Sequence, residues 1–145
     1  MTIFVDADGC PAVDITIRFA IEYRVECVLV CDTAHVFQRE GARTGTVSKG
    51  ADSDDFALVN MVQSGDIVVT QDYGLAAMCL ARKAVPIRQD GLVFTNDNIE
   101  ALLYERHTAR KIRMGGGRLK GHAKRTAQED VEFEASLRAL LVNES

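Results

Sequence analysis

Ile3-Phe4-Val5-Asp6-Ala7-Asp8 and Ile67-Val68-Val69-Thr70-Gln71-Asp72 are two short runs in which an apolar stretch ends on aspartate. A strand buried on both faces reads as continuous Ile, Val and Phe, and α/β sheets place ligands in the crevice beyond the carboxyl ends of parallel strands. Two such strands side by side would bring Asp6, Asp8 and Asp72 to one cleft. Crowded carboxylates repel unless a cation or shared protons neutralise them. A hard divalent ion, Mg²⁺ or Mn²⁺, is the simplest expectation, and metal-assisted phosphoryl chemistry is its natural use.

Size and composition bound what can surround that cleft. A chain of 145 residues, 47% of them hydrophobic, is expected to bury one core and form one domain over 1–145. No apolar run approaches the roughly 20 residues of a membrane helix, and Met1 opens directly on a strand. The expectation is a soluble, cytoplasmic protein with no membrane partner. Cys10, Cys27, Cys31 and Cys79 lie in apolar segments without a Cys-x-x-Cys pair, which points to reduced, mostly buried thiols rather than a zinc site.

Charge is distributed unevenly. Residues 1–105 carry 8 basic and 16 acidic side chains, 106–125 carry 8 basic and none acidic, and 126–145 carry 1 basic and 5 acidic. The overall net charge of −4 therefore conceals a concentrated cationic stretch from Arg106 to Arg125. Such a stretch is the expected footprint of a polyanion such as a nucleic acid, although a charge run can also be a solvated loop. The oligomeric state stays open, a homo-oligomer included.

A pass along the chain predicts alternating strands and helices. After the first strand, Pro11 can open a helix running to about Arg24, with Val13, Ile17, Ala20 and Ile21 at helical spacing. Strands are expected at Val25–Cys31, Asp66–Thr70 and Val85–Arg88, and helices at Ser53–Gln63, Tyr73–Lys83, Asn96–Glu105 and Thr126–Val142. Asn96 or Asp97 would cap the third of these helices. Between Asp32 and Gly50 the signal is weak, allowing a short helix over His35–Glu40 and a short strand over Thr46–Ser48. The glycine-rich basic stretch at about 106–125 reads as a loop. Strands separated by helices indicate a mainly parallel sheet with right-handed crossovers.

Each acid has a structural alternative. Asp6 and Asp8 would point the same way only if the extended backbone ran through both; otherwise Asp8-Gly9-Cys10-Pro11 would be a turn with Asp8 capping the helix at Pro11. Asp72 would equally serve as an N-cap. Asp52 and Asp54 suit a first helical turn, where acids complement the helix dipole. Asp55 lies one turn before Leu58 and Val59, near the buried face, where a cation or an arginine should neutralise it.

The runs Val5-Asp6-Ala7-Asp8-Gly9-Cys10-Pro11, Asp55 with its helix, Gly65 to Ala77, Arg106-His107, and Gly116-Gly117-Arg118-Leu119-Lys120-Gly121 resemble the bacterial YaiI/YqxD family over nearly the whole chain. That family is similar to PIN-like nucleases in fold and acidic pattern. The resemblance implies a three-layer PIN-like domain, with Asp6, Asp55 and Asp72 at the acidic positions and Asp8 an addition of this family. Gly9 and Asp54 stand where the family tends to have alanine, and His122 where it has proline.

The resemblance further implies phosphodiester hydrolysis with Mg²⁺ or Mn²⁺ held by Asp6, Asp8, Asp55 and Asp72. Thr70 would orient a carboxylate or water on the substrate side. Arg118, Lys120 and Lys124, with Arg125, would hold phosphates, and Gly115 to Gly117 would let the backbone approach closely. Tyr73 or Tyr104 is a candidate for stacking a base, with a packing role the plainer alternative. Two other classes compete. Asp6-Ala7-Asp8-Gly9 is similar to the haloacid-dehalogenase phosphatase pattern, in which Asp6 would be the nucleophile, but the later motifs of that group are missing. The third reading is a nucleic-acid-binding module without turnover.

Overall fold

A computed structural model describes residues 1–32, 40–47, 53–114 and 125–143, with side chains at 1–31, 40–44, 57–108 and 125–143. Ten elements follow in order: β1 (Thr2–Asp6), α1 (Val13–Tyr23), β2 (Glu26–Asp32), β3 (Arg43–Val47), α2 (Ser53–Met61), β4 (Ile67–Val69), α3 (Tyr73–Ala81), β5 (Val85–Ile87), α4 (Ile99–Met114) and α5 (Ala127–Asn143). The strands form one sheet of order β3-β2-β1-β4-β5, and every pairing is parallel.

The continuous apolar strands have a direct explanation in the two faces they bury. Ile3 and Val5 of β1, Cys27, Leu29 and Cys31 of β2, and Ile67 and Val69 of β4 join α1 and α5 in one core. The intervening Phe4, Val28, Val30 and Val68 pack on Leu58 and Val59 of α2 and on Leu75 and Cys79 of α3. Side chains alternate across the sheet, so residues that look uniformly hydrophobic in sequence serve opposite layers. Burial holds the thiols of Cys10 and Cys27 well above their ordinary range, to about 11 and about 12.

Local chemistry shifts several boundaries from the sequence-based expectation. α1 begins at Val13 rather than Pro11; its N-cap, Ala12, makes no side-chain cap bond. It ends at Arg24 in the left-handed conformation, where Val25 N–H donates back to the Ala20 carbonyl. β3 starts at Arg43, ahead of the expected Thr46. α4 is capped by Thr95 rather than Asn96 or Asp97: its hydroxyl accepts from Asn98 N–H at 3.2 Å, while Asn98 Oδ1 accepts from Thr95 N–H at 2.9 Å. The same helix continues to Met114, so residues 106–114 of the basic stretch are helical and not loop. The short helix expected near 35–40 lies largely outside the described residues.

α5 opens with a reciprocal cap between Thr126 and Glu129 and buries Phe133, Leu137 and Leu141 against the sheet. Its register is pinned at the turn after β5. Gly91 has φ +95°, a Cβ there would lie 2.6 Å from the Glu132 carbonyl oxygen, and Ser136 Oγ donates to the Gly91 carbonyl at 2.7 Å.

At the amino edge of the sheet, Asp66 performs a purely structural task. It is 7% exposed and accepts from Thr2 N–H and Gln63 N–H, each at 2.9 Å. Asp66→Ala is expected to lower unfolding free energy by about 1–3 kcal/mol for each donor left unsatisfied, read by urea denaturation. An unchanged midpoint would show that water replaces both bonds.

Candidate functional site

Parallel register decides where the acids fall. Val5 of β1 lies beside Val69 of β4, so Asp6 and Thr70 are the next residues along neighbouring strands. The buried Thr70 hydroxyl donates to Asp6 Oδ2 at 3.0 Å and accepts from Asp72 N–H at 3.0 Å. Asp72 is then the N-cap of α3, its Oδ1 accepting from Leu75 N–H at 3.1 Å. Capping and cleft-lining are therefore not alternatives for Asp72.

Asp6 and Asp72 line one cleft of about 310 Å³ with Gln71, Tyr73, Gly74, Leu103 and Arg106. Thr70 orients a carboxylate, as one of its two expected roles had it, by donating its one proton to Asp6; at 2% exposed it does not itself reach the substrate side. It acts as the tie between the two acids. Asp8 follows the turn alternative rather than the extended one. The strand ends at Asp6, and Ala7 to Cys10 form a tight turn closed by Cys10 N–H to the Ala7 carbonyl at 3.1 Å, with Gly9 at φ +73°. Asp8 is exposed in that turn; it does not continue the alternation from Asp6, and it does not cap α1.

Asp55 lies in the first turn of α2, and its side chain is outside the described residues, as are Arg118, Lys120 and Lys124. Among the described residues, no group of three or more His, Cys, Asp and Glu is placed to hold a metal ion. Two of the expected acids, Asp6 and Asp72, come together.

The far wall of the cleft was not legible as a site. Arg106, on α4, places its guanidinium 5.6 Å from the Tyr73 ring centroid, and Tyr73 packs edge-on against Phe94 at 5.4 Å. Arg88 donates to the Tyr73 hydroxyl at 2.7 Å and grips Asp90 with two bonds, of 2.8 and 2.7 Å. That grip lowers the Asp90 carboxyl below its ordinary range and raises Arg88. Tyr73 is thus committed to packing and to Arg88, whereas Tyr104 is 70% exposed. Arg106 falls seven residues after Ile99 and four after Leu102, both packed in the cluster around Phe94. Extending the helical period past Glu105 would have found it.

A family model described as uncharacterized BCR, YaiI/YqxD family, matches residues 4–143. A UPF0178 protein of Exiguobacterium sibiricum is 57% identical over 145 residues, covering 100% of this chain and 99% of its own. A UPF0178 protein of Clostridium acetobutylicum is 45% identical over 144 residues, covering 98% and 97%. A crystal structure of a variant of Rae1 (YacP) from Bacillus subtilis is 15% identical, with 99% of each chain covered and a TM-score of 0.42.

The tie through Thr70 makes a definite demand. Thr70→Val keeps the shape but leaves Asp72 N–H without its acceptor, so unfolding free energy should fall by about 1–3 kcal/mol. Thr70→Ser should restore most of it. Equal thermal denaturation of the Val and Ser variants would deny the hydroxyl any role.

Proposed function

The chain belongs to the YaiI/YqxD family, and on that premise we propose that it is a divalent-cation-dependent nuclease acting on RNA, with its acid site at Asp6 and Asp72 and with Asp55 as the third carboxylate. The observation that carries this reading is the bridging of Asp6 and Asp72 by one buried hydroxyl at the ends of adjacent parallel strands, opposite Arg106.

The donor set fits the ion. Two carboxylates at one cleft are hard oxygen ligands, and Mg²⁺ is commonly held by one or two carboxylates with water filling its remaining positions. Bound there, a cation would supply Lewis acidity, activating a water and offsetting charge on the phosphate. The chain's own residues do the rest. Thr70 fixes the Asp6 carboxylate by donating to Oδ2, the α3 amino end fixes Asp72 through Leu75 N–H, and Arg106 offers a guanidinium to phosphate oxygens across the cleft. Arg106 has no ion pair among the described residues, which leaves its donors for substrate. The cationic segment that includes Arg118, Lys120 and Lys124 adds affinity rather than chemistry, since phosphate contacts position a nucleic acid.

Asp72→Asn separates charge from fold, because asparagine also caps helices. It should leave thermal stability nearly unchanged and RNA binding within a few-fold, while lowering Mn²⁺-dependent cleavage of single-stranded RNA by about 100-fold or more. Full activity in this variant would sink the metal-nuclease reading, and a phosphoenzyme on Asp6 would identify a phosphatase instead.

Substrate contacts are read by salt. Arg106→Ala should weaken RNA binding and make its salt dependence shallower by about one counterion, and replacing Arg118, Lys120 and Lys124 with Ala should flatten it by about two to three. Mn²⁺ affinity, by calorimetry, should stay unchanged in the second variant. An unaltered salt slope would remove the basic segment from the RNA path.

A further inference from the structure

The acid cleft does not end at Arg106. Gln71, Tyr73 and Arg106 also line a neighbouring cleft with Arg88, Gln89 and Glu129, and Gln71, Gln89 and Glu129 continue into a third, walled by Cys10, Pro11 and Arg125. One groove therefore runs along the carboxyl edge from Asp6 and Asp72 to Arg125.

At its far end two polar atoms of opposite kind are shielded from solvent and lack a partner among the described residues: the acceptor Gln89 Oε1 and the donor Arg125 Nη2. Buried polar groups in folded proteins are nearly always paired, so each is a standing cost in the free protein that a bound partner would remove. Arg125 is already held in place. Its Nε donates to Asp130 Oδ1 at 2.6 Å and its Nη1 to the Gln89 backbone carbonyl at 2.8 Å, with 16% of the side chain exposed. Glu129 is occupied as the cap of Thr126, and the neighbouring Cys10 thiol is kept protonated by burial. Pro11 and Cys10 give that end of the groove a wall without charge.

We propose that Gln89 and Arg125 form a base-reading subsite, hydrogen-bonding the edge of the nucleobase next to the phosphate held at the Asp6–Asp72 cleft. The identity of the ligand as a nucleotide rests on the nuclease reading; the complementarity of the pair does not. A donor and an acceptor on one groove wall, each without a partner among the described residues, match an edge that presents a carbonyl or ring-nitrogen acceptor next to an N–H. Guanine presents that pair in one sense, adenine and cytosine in the other, and uracil, whose N3–H lies between two carbonyls, in both. With the sugar and phosphate directed towards Asp6 and Asp72, one sense fits. Gln89 walls both adjoining clefts, so turning its carboxamide opens the acceptor to the base.

The test titrates the metal-free full chain with GMP, UMP, AMP and CMP, following the Gln89 side-chain amide and the Arg125 Nε–H by NMR. Guanine on one side, or adenine and cytosine on the other, should bind about 10-fold or more tightly than its rival, with uracil following the tighter side and shifts at both side chains. Gln89→Leu should erase that preference while leaving a base-independent affinity that Arg106→Ala lowers. Arg125→Lys, which keeps the charge and loses the fork, should erase it too. Equal binding of all four nucleotides, no shift at Gln89, or a preference that survives Gln89→Leu would overturn the proposal. Mn²⁺-dependent cleavage judges the other reading separately. Cleavage without base preference sinks the subsite alone, and base-selective binding without cleavage sinks the nuclease alone.

Discussion

The pairing of β1 with β4 is the constraint on which the rest depends. β1 is the middle strand, flanked by β2 and β4, and its side chains are buried on both faces. A slip of one residue would drive Phe4 into the layer of α1 and α5 and Val5 into the layer of α2 and α3, which the packing of both layers resists. Register so fixed leaves Asp6 beside Thr70, and the hydroxyl then reaches both acids. The chain crosses from one side of β1 to the other between β3 and β4. The cleft opens at that reversal, where parallel α/β sheets have room for ligands.

The two edges of the sheet use carboxylates in contrasting ways. Asp66, at the amino edge, is buried and spends its oxygens on backbone N–H groups. Asp72, only six residues on, spends one oxygen on α3 and keeps its place on the wall of a cleft. The difference follows from geometry: β4 has only three residues, yet it carries the chain from one face of the molecule to the other. What separates a structural acid from a candidate ligand here is position along a strand, not residue type.

That distinction also explains how much was readable in advance. The Ile/Val runs ending at Asp6 and near Asp72 revealed parallel strands because double burial imposes an uninterrupted apolar pattern, and the order of strands and helices gave the α/β class. The resemblance carried by Val5 to Pro11 and Gly65 to Ala77 led to the family that the comparisons establish. Boundaries were less legible. Thr95 and Thr126 became caps through reciprocal bonds with Asn98 and Glu129, a pairing that competes with several nearby Asn and Asp residues. For Asp8 the extended and the turn readings looked alike in sequence, and the glycine at φ +73° belongs to the turn. The groove wall was least visible. Gln71, Gln89 and Arg106 come from a loop, the turn after β5 and a helix, and only tertiary packing brings them together. Arg106 stood out as the start of the basic stretch and in the Arg106-His107 pair, but glycines 115–117 made that stretch look like loop, which concealed its place at the helical spacing set by Ile99 and Leu102.

The contribution of α5 has a consequence for the order in which the protein acquires its structure. Phe133, Leu137 and Leu141 complete the layer that also contains α1, and they follow every other described element in synthesis. The opposite layer, built from α2 and α3 and closed by Ala84, is encoded before residue 85. During translation one side of the sheet can therefore be sheathed while the other is covered by α1 alone. A nascent chain halted ahead of α5 leaves part of an apolar sheet face uncovered, which makes the interval before that helix emerges the period when a chaperone has most to protect.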